Sequence, residues 1–396
     1  MKRLWISSLE DSAILDGMQH LRSAEEYRHL AEAAVCRSQA DWLVGMNATR
    51  AYTTKYFKKL TVGRVQTPTL AMLVERAGQI SNFQKEKYFN VELDCDGIPA
   101  VKSKIFDPDE AEQLRSRCQG SEAIVTAVKE TEKKVKEPKL YDLTTLQREA
   151  NRIYGMTAKQ TLDTAQSLYE KKLITYPRTD SQYLTEDMEQ TARNVVRQIY
   201  EKYQLTGPFD QPEQPDVKKV MNNSKVTDHH AIIPTMELAS CHLDELKSWE
   251  EKILFLIAVH TVMAMSKDHI YQETEIEVEC QGEIFKAKGK NVLQDGWKVF
   301  ENCFKNKDRM AIVDPDQEMK ERMPKVTQGQ TFYAVAAEKT EHFTSPPKPY
   351  SEDTLLAAME TAGNKEFDED TEKKGLGTPA TRAGIIEKLI YSQYAT

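Results

Sequence analysis

Residues 174–181 hold a tyrosine, a proline and an arginine in the order Tyr176, Pro177, Arg178. Because a proline pushes the residue before it towards extended backbone, the phenol is held in a restricted conformation. The guanidinium two positions later is a planar fork suited to phosphate oxygens. A phenol oxygen beside a phosphate-binding cation is the minimum equipment for attacking a phosphodiester. The run is therefore a candidate active site, although the same tripeptide also occurs in turns and packing contacts.

Two adjacent histidines, His229 and His230, lie in the run from Asp228 to Thr235. Adjacent side chains rarely bind one tetrahedral metal ion without ligands elsewhere, whereas one imidazolium near a phosphate can stabilise charge or move a proton. A pair that only satisfies a loop is the alternative. His229 becomes a candidate if the fold brings it to Tyr176.

Two glycine-containing loops lead into predicted helices, at residues 61–68 and at residues 375–382. Backbone N–H groups at a helix start favour anions, and arginine or glutamine side chains there can reach a phosphate or a base edge. Asn47 and Arg50 lie at the end of the preceding helix, where they can contact a ligand or only cap the helix. A plain helix start explains each loop equally well.

Composition limits the class of protein without deciding the partner. With 54 lysines and arginines against 62 aspartates and glutamates, the 396 residues carry a net charge of −8, which argues mildly against non-specific nucleic-acid binding. Six cysteines without a CxxC pair indicate neither a disulfide framework nor a zinc ribbon. The longest apolar run, residues 253–265, is too short to span a bilayer, and no signal peptide is visible. The sequence predicts a cytoplasmic protein of several domains.

Helical and strand-rich segments alternate along the chain. Helices are predicted over residues 23–53, 68–73, 144–154, 157–173, 185–203 and again from 350, with a polar loop at 363–377. Strands are predicted within 88–105, 124–128, 270–300 and 330–340. Ser23 and Glu26 form a capping-box pattern, and Asp96-Gly97 and Gln281-Gly282 mark hairpin turns. A charged linker is predicted at 133–139. This order predicts a mixed α and β fold in which the strand-rich segments form one arch around a central helical domain.

Six of these runs, in this order, resemble the motif series of type IA DNA topoisomerases. They are residues 41–50, 63–68, 143–150, 176–181, 229–232 and 377–382. The proline after Tyr176 and the Asp41-Trp42-Leu43 run are similar to the bacterial topoisomerase III branch. In one departure, Ala77 stands where the family usually carries an acid, so no role is expected there.

The resemblance implies a role for each matching residue. Tyr176 is expected to be the nucleophile that forms a 5′-phosphotyrosyl bond, Arg178 to hold the scissile phosphate, and His229 to assist near it. Single-stranded DNA is expected to contact Asn47, Arg50, Thr61, Val62, Gly63, Arg64, Val65, Gln66, Thr378 and Arg382. The implied activity relaxes negatively supercoiled DNA and decatenates DNA without a nucleotide cofactor.

The resemblance also implies a domain order for the type IA core. Residues 1–78 and 343–396 are expected to form a helical DNA-groove domain. Residues 79–138 and 266–342 are expected to form the β-rich arch, and residues 139–265 a helical, winged-helix or CAP-like domain that carries the tyrosine.

Further parts are expected outside this chain. In the family an N-terminal Toprim domain holds Mg²⁺, and it would precede residue 1, while the C-terminus is expected to be truncated. Neither metal ligands nor a cofactor is therefore expected here, and the chain alone is expected to be inactive. The expected partners are single-stranded, supercoiled or catenated DNA in the bacterial cytoplasm, at the nucleoid, with no membrane contact.

Two alternatives remain open from the residues themselves. A rolling-circle nickase also uses a tyrosine with a histidine pair, but it spaces the histidines as His-hydrophobe-His, unlike His229 and His230. A non-catalytic helix–turn–helix DNA binder can be built on residues 144–173, but it leaves the loops at 61–68 and 375–382 unexplained.

Overall fold

The structure is a computed structural model that describes residues 1–6, 11–205, 215–226, 229–301, 320–321, 324–364 and 375–395. Contacts divide the chain into two compact units. Unit 1 contains residues 1–78, 138–266 and 349–396, and unit 2 contains residues 79–137 and 267–348. Among the described residues, no helix is long and apolar enough to cross a membrane. The predicted mixed α and β class is confirmed, with helices concentrated in unit 1 and strands in unit 2.

Unit 2 is built on one eight-stranded sheet. The strands are β3 (Lys87–Cys95), β4 (Ile98–Ile105), β5 (Ala123–Val135), β6 (His269–Cys280), β7 (Glu283–Gln294), β8 (Lys320–Glu321), β9 (Thr331–Phe332) and β10 (Ala336–Phe343). Their order in the sheet is β10-β3-β4-β7-β6-β5-β9, with β8 paired to β7. All pairs are antiparallel except β7 with β8. Helix α4 (Pro108–Cys118) covers this sheet and buries Ala111 and Leu114.

The predicted hairpin turns are confirmed. Asp96 and Gly97 both have positive φ angles, 54° and 84°, and so do Gln281 and Gly282, at 53° and 82°. Paired positive φ angles match the twist of the flanking strands, which is why Asp-Gly and Gly-containing pairs are favoured there. The predicted linker at 133–139 is wrong at its start, because β5 continues to Val135 and pairs with β6. Cross-strand partners outweigh the low strand propensity of its charged residues.

Unit 1 contains a short antiparallel pair, β1 (Lys2–Arg3) with β2 (Arg22–Ser23), and otherwise helices. The helices are α1 (Asp11–Gln19), α2 (Arg28–Tyr56), α3 (Gln66–Ser81), α5 (Leu143–Tyr154), α6 (Ala158–Glu170), α7 (Glu189–Tyr203), α8 (Ser248–Ala264), α9 (Glu352–Thr361) and α10 (Pro379–Tyr391). The last three residues of α3, 79–81, belong to unit 2, because unit 1 ends at Gly78. Helix α3 begins two residues before Pro68 and continues well beyond the predicted end.

Helices α5 and α6, which precede residues 174–181, begin within one residue of the predicted positions, but α6 ends at Glu170, three residues before its predicted end. Asp142 caps α5 and Thr157 caps α6, each with a capping box, and Gly155 between them has a φ of 65°. Helix α8 is buried from Ile253 to Ala264, and this mostly apolar stretch lies within the helical core.

Helix α2 differs from the prediction in its packing. Ser23 and Glu26 do form the predicted capping box, which begins a short 3₁₀ turn before α2. None of the residues of α2 is buried, however, and Leu30 and Trp42 are 51% and 63% exposed. The helical spacing thus predicted the helix correctly. Its apolar residues, however, are not buried against other described residues.

Candidate active site

The tyrosine loop (residues 174–181) and the histidine run (residues 229–234) lie side by side. Ile174 and Pro234 form an antiparallel bridge, and the Thr175 N–H donates to the Ile233 carbonyl at 3.0 Å. The Thr175 hydroxyl donates to the Ala231 carbonyl at 2.9 Å. These contacts bring together two segments that are more than 50 residues apart in the sequence.

A second threonine fixes the backbone of the histidine itself. The Thr179 hydroxyl donates to the His229 carbonyl at 3.1 Å, and Thr179 is only 3% exposed. The Thr179 carbonyl in turn accepts from the N–H of Leu143, the first residue of α5. The tyrosine loop is therefore held between the histidine run and the start of a capped helix.

The side chains of Tyr176 and His229 meet in space. Their ring centroids are 4.4 Å apart with an interplanar angle of 48°. Tyr169 of α6 touches Tyr176 edge-on at 5.4 Å between ring centroids, and Trp5 stacks on His229 at 6.0 Å. Tyr176 is half-buried, so its ring is positioned by neighbours while part of it remains accessible.

Arg178 and His229 line the same cleft, which has a volume of about 200 Å³. The opposite side of the cleft is the start of α10, formed by Thr378, Pro379 and Ala380. Arg178 is exposed, and the start of a helix presents the positive end of the helix dipole. A guanidinium and a helix start around one cleft can hold a phosphate. Thr179 and Asp180 complete the lining.

Glycines shape the loop before α10. Gly375 has a φ of 65°, and a Cβ there would lie 2.3 Å from the carbonyl oxygens of Met359 and Glu360. Gly377 has a φ of 68°, and a Cβ there would lie 3.2 Å from Val65 Cγ1. Side chains at either position would be strained, so the glycines let this loop pack closely against its neighbours.

Arg382 differs from Arg178 in its surroundings. It is 3% exposed, and its guanidinium donates to the Leu376 carbonyl at 3.0 Å and to the Thr144 hydroxyl at 2.9 Å. A longer contact of 3.4 Å reaches the Gly377 carbonyl. This placement favours a role in holding the loop before α10 against α5 rather than direct contact with DNA.

The other predicted DNA-contacting residues are spread over α2 and the loop that follows it. Those on the surface are Asn47, Arg50, Thr61 and Arg64, whereas Val62, Gly63 and Val65 are half-buried and Gln66 is buried. The Val62 N–H donates to Thr49 of α2 at 2.9 Å, and Arg64 pairs with Asp41 at 3.1 Å. The loop is therefore attached to α2. Val65 also packs on the apolar cluster that contains Leu356 and Ile386.

Two buried titratable residues, Asp142 and His230, lie in the segments that contact the tyrosine loop. Burial raises the pKa of Asp142 to about 6, although it accepts hydrogen bonds from the Thr145 backbone and from Gln182. Burial lowers the pKa of His230, whose Nδ1 donates to the Ala231 carbonyl at 2.9 Å. His230 is buried and bound to the backbone, so it is a structural residue, whereas His229 lines the cleft.

Some residues of the site were not predicted. Trp5, Tyr169, Thr179, Asp180, Pro379 and Ala380 all contact or line it. Trp5 also stacks on Tyr27 at 5.8 Å, and Arg3 lies over both rings. Neither periodicity nor a local motif marks the N-terminal residues, whereas Thr179 and Asp180 stand inside the tyrosine run and could have been included. Asp228 lies outside the described residues.

No group of three His, Cys, Asp or Glu side chains in the described part of the chain is arranged to hold a metal ion. The polar groups that the described residues bring together at the site are the phenol of Tyr176, the imidazole of His229, the guanidinium of Arg178 and the start of α10.

Known proteins are similar to this chain over most of its length. A family model of DNA topoisomerases matches residues 25–396. The DNA topoisomerase 3 of Bacillus licheniformis is 40% identical over 414 residues, a match that covers 98% of this chain and 55% of that protein. The DNA topoisomerase 3 of Bacillus subtilis is 40% identical over 411 residues, covering 99% and 55%. The chain thus spans about half the length of these relatives.

The fold is similar to that of a solved full-length topoisomerase I from Thermotoga maritima. The TM-score is 0.75 and the identity 24%, and the match covers 98% of this chain and 61% of that one. The likeness shows the fold, and the family model, which matches most of the chain, shows that the chain belongs to the type IA family of DNA topoisomerases.

Proposed function

We propose that this chain carries the strand-cleaving tyrosine and part of the DNA-binding surface of a topoisomerase III-like enzyme. The observation that carries the proposal is the contact between the Tyr176 and His229 rings, beside a cleft that His229 and Arg178 both line. Membership in the family favours this function over a rolling-circle nickase and over a non-catalytic helix–turn–helix module.

In the proposed step, the Tyr176 oxygen attacks the phosphorus of one DNA strand. A bond forms between phosphorus and the phenol oxygen, and the bond from phosphorus to the 3′ oxygen of the preceding nucleotide breaks. The phenol proton is lost and the leaving oxygen gains a proton, so the products are a 5′-phosphotyrosyl end and a free 3′ hydroxyl. The reverse attack of that hydroxyl reseals the strand after another strand has passed.

The residues of the cleft support this step electrostatically. A tyrosine titrates near pH 10, so attack at neutral pH needs help in removing the proton and in stabilising negative charge. Arg178 and the start of α10 would hold the phosphate oxygens, and His229 would assist at the same phosphate. Thr175 and Thr179 would act as positioning residues, because they fix the backbones that carry Tyr176 and His229.

Single-stranded, negatively supercoiled or catenated DNA is the proposed substrate, in the bacterial cytoplasm at the nucleoid. Asn47, Arg50, Thr61, Arg64 and Thr378 would contact the strand from the surface. Binding through phosphates should weaken as salt increases. The division of unit 1 into a groove domain and a tyrosine domain is part of the same proposal.

Mg²⁺ is proposed as the metal of the whole enzyme. Since the described residues offer no group of ligands for it, no step of the reaction is assigned to a metal held by this chain. The chain spans 55% of its Bacillus relatives, so the activity is proposed for a longer protein and the chain alone is expected to bind DNA without relaxing it.

A chimera tests the proposal: this chain replaces the matching segment of the Bacillus subtilis DNA topoisomerase 3. The chimera should relax negatively supercoiled plasmid, and Tyr176→Phe should abolish relaxation. Tyr169→Phe is the matched control, because Tyr169 touches Tyr176 without being the proposed nucleophile. Relaxation that survived Tyr176→Phe would show that the nucleophile is a different residue.

A further inference from the structure

Unit 1 contains a second cleft, which is separate from the one beside His229. It has a volume of about 410 Å³, within the range of clefts that hold small molecules. Three lining residues, Arg148, Glu149 and Arg152, belong to α5. The others include Lys139, which precedes α5, His260 of α8 and Asp353 of α9. The proposed cleavage reaction uses none of these residues.

The cleft carries an excess of positive charge. Arg148 donates from Nε to Asp353 at 2.7 Å, and Arg152 donates from Nη2 to Glu149 at 2.8 Å. Each guanidinium has five N–H donors, so these contacts leave donors for another acceptor. Lys139 supplies a third cation against two carboxylates, which suits the cleft to a phosphate.

A buried histidine adds a second feature. His260 is 7% exposed and stacks on Tyr141 at 3.7 Å. Its Nε2 lies 2.7 Å from the Lys139 carbonyl oxygen, so Nε2 must carry the hydrogen. Its Nδ1 has no hydrogen-bond partner among the described residues and lies 3.6 Å from Glu149 Oε2.

Two hydrogen-bond acceptors therefore face each other at the wall of the cleft. Burial lowers the pKa of His260, which favours the neutral ring with a lone pair on Nδ1. Glu149 Oε2 is also an acceptor and already receives the Tyr141 hydroxyl. A ligand that presents N–H donors would satisfy both, and a buried acceptor without a donor is costly.

We propose that this cleft binds one nucleotide, with its phosphate on Arg148 and Arg152 and the N–H edge of its base on His260 and Glu149. Guanine fits best, because its ring N–H and its amino group are adjacent donors, whereas thymine offers one donor. The nucleotide is either free or one residue of a DNA strand. The proposal stands independently of strand cleavage at Tyr176.

Calorimetric titration of the full chain with dGMP at low salt tests the proposal. dGMP should bind saturably and about tenfold more tightly than dTMP, the equivalent of one hydrogen bond to a charged group. Arg152→Gln should weaken dGMP binding about tenfold. Arg193→Gln is the matched control, because Arg193 forms a similar ion pair with Glu189 on α7, and it should leave binding within about twofold. Thermal unfolding checks that both variants are folded.

A competing oligonucleotide identifies the source of the nucleotide. If a short strand containing dG displaces dGMP and Arg152→Gln weakens its binding too, the site takes a nucleotide of DNA. If dGMP binds and the strand does not displace it, the site takes free nucleotide. Absence of saturable dGMP binding, equal affinity for dGMP and dTMP, or equal weakening by the two arginine variants would overturn the proposal.

Discussion

The tyrosine loop and helix α2 contrast sharply in how they are held. The tyrosine loop is anchored by Thr175 and Thr179, both 3% exposed, whose hydroxyls bind the backbone of the histidine run. Helix α2 extends over 29 residues without one buried side chain. The first region holds its backbone in place through buried hydrogen bonds, as the proposed cleavage requires, whereas the second presents an exposed surface.

This difference predicts how each region responds to substitution. Substitution of a buried, hydrogen-bonded residue that anchors the tyrosine loop should lower the free energy of unfolding, because its partner is then left buried without a hydrogen bond. Exposed side chains on α2 should affect binding and leave the free energy of unfolding nearly unchanged. Arg178 is an exception, because it belongs to the anchored tyrosine loop but its side chain is exposed, so its substitution should leave the stability nearly unchanged.

The largest effect is expected from Arg178→Met in the chimera. Loss of a preorganised cation at the phosphate should slow strand cleavage by about a hundredfold or more, measured as the single-turnover rate on an oligonucleotide. The free energy of unfolding should change by less than about 0.5 kcal/mol, as at other exposed sites. A large loss of stability would show that the guanidinium supports the fold instead.

Arg382→Met should have the opposite profile in the chain. Its guanidinium is buried against the Thr144 hydroxyl and the Leu376 carbonyl, so removal should cost about 3 kcal/mol of unfolding free energy. Urea denaturation of this variant beside Arg178→Met measures the difference. Equal stability of the two variants would contradict the contrast between a buried and an exposed arginine.

Asp142 gives the anchored region a pH dependence. Its pKa is about 6 in the folded chain against an ordinary value of 3.8, so the folded state holds the proton more tightly. Its contribution to stability is therefore complete below pH 3.8 and is lost as the pH rises through 6. The shift corresponds to about 2–3 kcal/mol.

Asp142→Asn isolates this contribution, because the lowered pKa of the buried His230 changes the stability with pH in the opposite direction. The difference in unfolding free energy between wild type and variant should fall by about 2–3 kcal/mol between pH 4 and pH 7. A difference that stays constant with pH would show that Asp142 has an ordinary pKa in the folded chain.

The smallest effect is expected on α2. Arg50→Gln should weaken the binding of single-stranded DNA by the chain about threefold and reduce the salt slope by about 0.7, the loss of one phosphate contact. Fluorescence anisotropy at several salt concentrations measures both. Arg193→Gln, a surface change on α7, should leave affinity and slope unchanged. An equal effect of the two variants would mean that α2 is not a specific contact surface.

The sequence predicted the local elements well because their causes are local. The caps at Ser23 and Thr157 and the turns at Asp96-Gly97 and Gln281-Gly282 follow from the residues that stand there. The end of β5 was missed, because pairing with a strand more than 100 residues away decides it.

The candidate site was predicted in part for the same reason. Tyr176 and Arg178 are two positions apart in the sequence, and the histidine pair and the resemblance both pointed to His229, which the structure places against the Tyr176 ring. The contacts of Trp5 with His229 and of Tyr169 with Tyr176 were not predicted, because only tertiary packing brings these side chains together. Arg382 stood in a loop typical of anion binding, and nothing in its neighbours along the chain indicates that it is buried.

The central claim, that Tyr176 is the nucleophile, is tested most directly by mapping the covalent adduct. The chimera is incubated with a single-stranded oligonucleotide, the reaction is stopped with denaturant, and the modified peptide is identified by mass spectrometry. The account predicts a phosphotyrosyl nucleotide on Tyr176 and no adduct in the Tyr176→Phe variant. An adduct on any other residue, or one that persists in that variant, would contradict it.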